Sequence, residues 1–298
     1  MKGAGIVVKD LIKVYHLGKV EVQALRGLSM SVKEGEVASI IGPSGSGKTT
    51  LLNIIGGLDT ATAGSVVVGG TEVTALSTSQ LIDFRRKNVG HIFQTLNLIP
   101  TLNAAENIEL PMIALGVGRT KRNERVKELL EIVGLTARAN HKPDELSGGE
   151  QQRITLAAAL ANDAPVILAD EPTGELDTSN AKIVVDYLVK ISRELGKTIV
   201  MVTHDPNIAR QTDRILRIED GTIKAALTPA QILEPTAAVS YVDQLKSRLQ
   251  DIDAQLKKLD KDFRAGKIGG DEYAEQRQRL KQTKDGLQDE LHRMGVVI

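Results

Sequence analysis

Four short segments of this chain are apolar almost throughout: "EVASIIG" (36–42), "NVGHIF" (88–93), "PVILAD" (165–170) and "TIVMVTH" (198–204). Val and Ile dominate them, and polar residues do not alternate with apolar ones. A strand that alternates leaves one face to water. A strand that is apolar along its length must be covered on both faces, the condition of a parallel sheet flanked by helices. Helical stretches separate several of these runs. "SNAKIVVDYLVKISRELG" sets Ile183, Val184, Tyr187, Leu188 and Ile191 on one helical face and stops at Gly196. The pattern predicts an α/β domain over residues 6 to about 225. "LRGLSMSVKEGE" alternates instead, predicting an antiparallel strand that runs into a turn, and "RILRIEDGTIKA" predicts a hairpin turning at Asp220-Gly221. An antiparallel β accessory therefore accompanies the parallel core.

Composition narrows the function classes. With 2% aromatic residues and no Trp, the core is built from Val, Ile, Leu and Ala. A formal net charge of zero gives no electrostatic case for nucleic acid or an anionic membrane surface. The absence of Cys excludes disulfides and cysteine-ligated metals, and fits a cytosolic protein. "MKGAGIVVKD" lacks the apolar core of a signal peptide. No apolar run approaches the roughly 18 residues of a spanning helix. The expectation is no direct membrane insertion, so any membrane role requires a partner chain.

The pattern changes after Ala225. Residues 226–239 carry Pro229 and Pro235 among small residues and read as a linker. Over 240–298, Val242, Leu245, Leu249, Ile252, Leu256, Leu259 and Phe263 alternate spacings of 3 and 4, an a/d heptad seam. "RAGKIGG" breaks it, and Tyr273, Leu280, Leu287 and Met294 follow seven apart, with Leu291 nearby. A C-terminal α-helical hairpin is the economical reading. It serves either as a self-contained solvated pair or as a dimerisation, regulatory or docking element. Twelve basic and twelve acidic residues balance in this part, against a nucleic-acid tail.

"GPSGSGKTT" matches the phosphate-loop pattern through Gly42, Gly47, Lys48 and Thr49, between the buried run 36–41 and the helical stretch "TTLLNIIGG". Gly45 and Gly47 let backbone N–H groups curl around an anion at a helix N-terminus. Lys48 would reach the β- and γ-phosphates, and the Thr49 hydroxyl would ligate Mg²⁺. Such a site needs a carboxylate. "VILADEP" ends in Asp170 and Glu171, which point to opposite sides of a strand. Asp170 would support Mg²⁺ and Glu171 would polarise the attacking water. Alone, the pair would read as solvated acids; the upstream loop reverses that reading. Gln94 and His204 also follow buried runs, at the sheet edge where α/β ligand sites lie. Gln94 would hold Mg²⁺ or the water, and His204 would contact the γ-phosphate; each is otherwise a satisfied polar group. Tyr15, the aromatic residue before the loop, would stack on adenine or simply pack.

Tyr15, "GPSGSGKT", Gln94, "LSGGEQQR" (146–153), "VILADEP", "GELD" (174–177) and "VTHD" stand in this order along the chain. The series closely resembles the ATP-binding cassette of ABC ATPases over residues 6 to about 225, and "LSGGEQQR" is its most specific element. The resemblance implies a P-loop NTPase fold of ABC ATPase type: a parallel sheet core, an antiparallel β subdomain and a helical subdomain over about 95–160, within a nucleotide-binding domain at 1–225. It implies ATP held along Tyr15, Gly42, Pro43, Ser44, Gly45, Ser46, Gly47, Lys48, Thr49 and Thr50, with Asp177 in the loop 174–177. Thr49, Gln94 and Asp170 would serve Mg²⁺. Glu171 would be the catalytic base, flanked by Gln94 and His204. Ser147, Gly148 and Gly149 would complete the ATP site of a second copy. The resemblance further implies a homodimer around two ATP–Mg²⁺ that drives separate transmembrane permease subunits from the cytoplasmic face of the cell membrane.

"LLNIIGGLDTATAGSVVVGG" and "HIFQTLNLIPTLNAAENIELP" look like the ATPase subunits of lipoprotein-release, macrolide-efflux and cell-division systems. Ala61 departs from that pattern, where Pro is usual, as do Thr95-Leu96, which replace a polar or aromatic pair, and Glu175, where Asn is common. The helical hairpin is the largest departure. Two other functions compete: a soluble cassette ATPase acting on nucleic acid or ribosomes, and a membrane complex whose ATP work gates a partner without moving cargo. The single cassette, the absent basic stripe and the lack of a long insertion between Gln94 and Ser147 weigh against the first.

Overall fold

A computed structural model describes residues 3–18, 20–174 and 176–232, and beyond these only scattered helical positions between 249 and 288. The chain divides into two compact units, Met1–Leu233 and Glu234–Ile298. The first begins with strands β1 (Ile6–Leu17), β2 (Val20–Val32) and β3 (Val37–Ile41), then helix α1 (Lys48–Ile55). β4 (Ala63–Val68), β5 (Thr71–Glu72), α2 (Thr78–Asn88) and β6 (Val89–Ile92) follow. Three helices come next: α3 (Ala104–Ala114), α4 (Arg119–Ile132) and α5 (Gly148–Leu160). The unit continues with β7 (Val166–Asp170), α6 (Thr178–Leu195), β8 (Thr198–Val202), α7 (Pro206–Ala209), β9 (Arg214–Glu219) and β10 (Thr222–Leu227).

The four apolar runs become β3, β6, β7 and β8 of a six-stranded sheet ordered β10-β9-β3-β8-β7-β6. β3 is parallel to β8 and β9, and β7 is parallel to β6 and β8. Both faces of these strands are buried because two cores meet on them. Val166 and Leu168 of β7 join one core with Val200 and Val202 of β8. The intervening Ile167, Ala169, Ile199 and Met201 join the other. Successive side chains point to opposite faces, so a strand between two cores is apolar at most positions, and its few polar residues, such as Ser39 and Thr198, are buried.

The first core also takes Leu51, Leu52, Ile54 and Ile55 of α1, together with the antiparallel second sheet ordered β2-β1-β4-β5. The second core takes its helical side from α3, α4, α5 and α6. Helices α3 to α5 fall between β6 and β7 in the chain, over the span expected as a helical subdomain. Asp220 (φ 47°) and Gly221 (φ 72°) turn β9 into β10, the two left-handed residues that such a tight hairpin demands. β10 extends to Leu227 and a 3₁₀ turn spans Pro229–Ile232. Regular structure thus continues into the stretch expected as a linker, with its proline at the first position of the turn, where a missing N–H is tolerated.

In the C-terminal unit, Leu249, Ile252, Leu256, Leu259 and Phe263 of the expected seam are helical, as are Tyr273 and Leu280. Val242, Leu245, the "RAGKIGG" break, Leu287, Leu291 and Met294 lie outside the described residues. The rings of Phe263 and Tyr273 stack with centroids 4.1 Å apart. The Tyr273 hydroxyl donates to Asp260 Oδ1 at 2.7 Å, and Arg277 Nε lies 3.5 Å from the same oxygen. Helical positions before the break therefore meet helical positions after it. Among the described residues no helix is long and apolar enough to cross a membrane.

Candidate active site

β3 ends at Ile41, and the chain loops from Gly42 to Gly47 before α1 begins at Lys48. Gly47 holds φ 97°, and a Cβ there would lie 2.5 Å from the Ala24 carbonyl oxygen. Only glycine fits such a conformation and approach. The loop walls a cavity of about 470 Å³ with Ala24, Gly42, Ser44, Gly45, Gly47, Lys48, Thr49, Thr50, Gln94, Glu171 and His204. That volume lies within the ordinary range for a small-molecule site.

The cavity is built for an anion. Lys48 is 8% exposed, and its ammonium donates to the carbonyls of Gly42 (3.0 Å) and Pro43 (2.8 Å). Among the described residues no carboxylate pairs with it within 4.0 Å. A buried cation with no directly paired carboxylate is costly, and the N-terminus of α1 adds positive potential beside it. Among the described residues, buried Ser46 Oγ has no hydrogen-bond partner, a further polar group of the loop. The residues present thus fit a polyphosphate.

Asp170 ends β7 and its carboxylate accepts from the Thr49 hydroxyl. Burial holds that carboxyl above its ordinary range; the Glu171 charge adds to the effect, while Thr49 and Lys48 oppose it. Among the described residues no three His, Cys, Asp or Glu cluster as a metal cage. A hydroxyl and one carboxylate fit Mg²⁺, which keeps waters and takes further oxygens from a bound phosphate chain.

Gln94, Glu171 and His204 arrive from the ends of three adjacent strands, β6, β7 and β8. Glu171 adopts φ 45°, its N–H donating to Val202 O (3.0 Å) and its carbonyl accepting from Gly174 (3.0 Å). Gln94 Nε2 donates to Glu171 Oε2 at 3.4 Å, and His204 Nδ1 lies 3.5 Å from the same oxygen. A carboxylate so placed at the cavity mouth has the chemistry of a general base.

Other sequence-predicted residues fall elsewhere. Tyr15 is outside the cavity lining. Its hydroxyl donates to Asp59 Oδ2 at 2.7 Å and lies 3.4 Å from Thr50 Oγ1. Lys13 Nζ sits 4.7 Å from the ring centroid and bonds Asp59 at 2.7 Å. Burial, then the Asp59 hydrogen bond, raises the Tyr15 phenol above its usual value. Ala24 lines the cavity, while Lys13 and Asp59 hold Tyr15; none had a local sequence signal, since the fold brings them in across tens of positions.

Ser147, Gly148 and Gly149 do not line the large cavity either. Ser147 caps α5: its Oγ accepts from Glu150 N (3.3 Å), while Glu150 Oε2 accepts from Ser147 N (2.9 Å) and Oγ (2.8 Å). These bonds, with Arg138 at 3.0 Å, hold the Glu150 carboxyl down to about 2. Ser147 and Gly148 remain exposed. Gly149 is buried, and a Cβ there would lie 2.6 Å from Asn180 Oδ1. Asp177 caps α6, its oxygens accepting from Ser179 N (3.0 Å), Asn180 N (3.0 Å) and Asn180 Nδ2 (2.6 Å). The Asn180 N–H above all holds that carboxyl well below the usual carboxylate range.

A phosphate loop on a parallel sheet, with a carboxylate and two polar groups at the neighbouring strand ends, defines a P-loop ATPase. The comparisons give the family. The ABC transporter family model matches residues 25–174. An uncharacterised ABC transporter ATP-binding protein of Thermotoga maritima is 51% identical over 72% of this chain and 92% of its own length. The lipoprotein-releasing system ATP-binding protein LolD of Bacteroides thetaiotaomicron is 48% identical over 68% of this chain and 93% of its own. The dimeric ATP-binding cassette MJ0796 of Methanocaldococcus jannaschii was solved in a post-hydrolysis state with ADP and Pi. It aligns at a TM-score of 0.70 and 43% identity, covering 75% of this chain and 98% of that one. The chain belongs to the ATP-binding proteins of ABC transporters, and it is an ATPase that binds ATP. The likeness to LolD falls in the branch that the loop sequences around Gly57 and Gln94 resemble.

Proposed function

We propose that this chain works as one of two identical ATPase subunits, each binding ATP with Mg²⁺ and together driving a separate transmembrane permease. The observation that carries the reading is a division of parts. The large cavity gathers Lys48, Thr49, Gln94, Glu171 and His204, while the exposed Ser147-Gly148 corner lies outside its lining. A loop of glycines and serine at a helix N-terminus suits a phosphate. Ser147, Gly148 and Gly149 therefore serve nucleotide held by another copy. MJ0796, a dimeric cassette in its solved form, supports the arrangement.

Each residue then has a task. Gly42 to Gly47 wrap the phosphates with backbone N–H groups, and Lys48 exchanges its loop carbonyls for the phosphate oxygens. Thr49 and Asp170 hold Mg²⁺, with Gln94 beside them; the ion neutralises charge on the transferred phosphoryl group. Glu171 takes the proton of the attacking water, and Gln94 and His204 fix its carboxylate oxygen. Thr50 and Tyr15 border the base end of the nucleotide.

The permease meets the chain beside Gln94. A groove of about 320 Å³ runs between β6 and α3, lined by Phe93, Leu96, Ile99 and Leu110 among others. Ile99 and Leu110 are exposed apolar residues there, suited to a short helix of the permease. Movement at this groove would reach Glu171 through Gln94. The LolD relative belongs by name to a lipoprotein-releasing system, and a membrane-bound partner of that class is our reading here.

Glu171→Gln tests the chemistry. Turnover should fall by at least about 10²-fold while ATP binding persists. Hydrolysis at the wild-type rate would remove Glu171 from the role of base.

A further inference from the structure

Gln152, one turn into the signature helix α5, is 4% exposed, and its Nε2 has no hydrogen-bond partner among the described residues. An unpaired buried amide donor normally costs about 1–3 kcal/mol, so its retention calls for a use. Gln152 lines a second, smaller cavity of about 50 Å³. Gln94 and Glu171 line that same cavity, with Gly148 of the signature loop at its edge. Leu96, Pro172, Gly174 and Leu176 complete the lining, so the unmet donor of α5 shares a small, largely apolar cavity with the Gln94–Glu171 pair described above. Rotation about the last side-chain torsion, which is soft in Gln, swings the Gln152 amide without moving the helix. The volume also admits a bridging water.

We propose that Gln152 is a positioning residue for the catalytic carboxylate of its own chain. Its amide donates, directly or through one water, to the Gln94–Glu171 pair. The helix that begins with Ser147 and Gly148, offered to the second copy's ATP, is in this way tied to the base at the first copy's ATP. Seating of one nucleotide against α5 is felt at the other. This rests on Glu171 acting as the general base.

The test uses the full chain and ATP hydrolysis. Gln152→Met keeps the volume and removes the donor. We expect kcat to fall about tenfold, KM for ATP to stay within about twofold, and the thermal midpoint to stay unchanged. In a Glu171→Gln background the same change should add no further loss, because the group it acts through is gone. A merely structural glutamine would lower the thermal midpoint or raise KM, not lower kcat alone. Two results would each overturn the proposal: wild-type kcat in Gln152→Met, or losses that multiply in the double variant. Failure of the underlying reading shows separately, as wild-type turnover in Glu171→Gln alone.

Discussion

His204 Nδ1 lies 3.5 Å from Glu171 Oε2, although 33 positions separate the two residues in the chain. The parallel pairing of β7 and β8, with Asp170 opposite Val202, brings the strand ends together. The left-handed turn at Glu171 then presents its carboxylate at the shared edge. Gln94 completes the convergence from the next strand.

From this follows the effect of removing the imidazole. His204→Ala should lower kcat about tenfold or more and leave KM for ATP within about threefold. Steady-state kinetics check it; an unchanged kcat would take His204 out of the reaction.

A second expectation concerns acid and metal. Asp170 is held above its ordinary range chiefly by burial, so it keeps its proton to a higher pH than an exposed aspartate. Only the carboxylate binds metal. Apparent Mg²⁺ affinity in the ATPase assay should therefore weaken as pH falls, beginning above the usual aspartate range. Thr49 donates to the carboxylate and opposes the rise. Thr49→Val should move the loss to higher pH as well as weaken Mg²⁺. Mg²⁺ titrations between pH 8 and pH 5 would show this, and parallel curves for the two proteins would contradict it.

His91 adds to the acid lability. Burial lowers its pKa from 6.5 to about 4, with the Arg85 charge helping and the Gly56 backbone opposing, and among the described residues its buried Nε2 makes no hydrogen bond. The unfolded chain takes up a proton near the ordinary value, whereas the folded chain does so only near 4. Stability contributed by the neutral ring is complete above about 6.5 and is lost as pH falls toward 4. The loss is on the order of 3 kcal/mol. Urea unfolding at pH 7 and pH 4.5 measures it. His91→Phe keeps the stack on Phe93 and should flatten the pH dependence by most of that amount.

Gly149 carries a steric prediction. A methyl group there would stand 2.6 Å from Asn180 Oδ1. Gly149→Ala should destabilise the fold by about 1–3 kcal/mol and depress hydrolysis. Asn180→Gly in the same chain should recover much of the loss, as read from thermal melts and ATPase rates. A double variant no better than Gly149→Ala would show that the crowding lies elsewhere.

Much of this architecture was legible because its signals are periodic or local. Two-sided burial makes β3, β6, β7 and β8 continuous in Val and Ile, and the polar residues that follow them, Gln94, Asp170, Glu171 and His204, mark the site. Asp220-Gly221 announces its own turn. β1 was not legible, since register shifts between Val8 and Leu11 and between Lys13 and Val14 break its alternation. The anchoring of Tyr15 by Asp59 and Lys13 depends on positions 44 and 46 apart, which no local pattern reports. Asp177 did carry a local signal, an N-cap residue ahead of a helix. The family resemblance directed attention to nucleotide instead. Gln152 reads as one polar residue of a solvated helix face until the fold buries it beside Glu171.

The central claim is that Ser147, Gly148 and Gly149 complete an ATP site on a second copy. The most direct measurement is the solution mass of the Glu171→Gln protein with ATP, compared with that of Glu171→Gln carrying Ser147→Arg. We expect ATP to convert the first to a dimer, and the second to stay monomeric while still binding ATP. A dimer that forms equally well with Ser147→Arg, or a monomer that loses ATP binding through that change, would contradict the composite site.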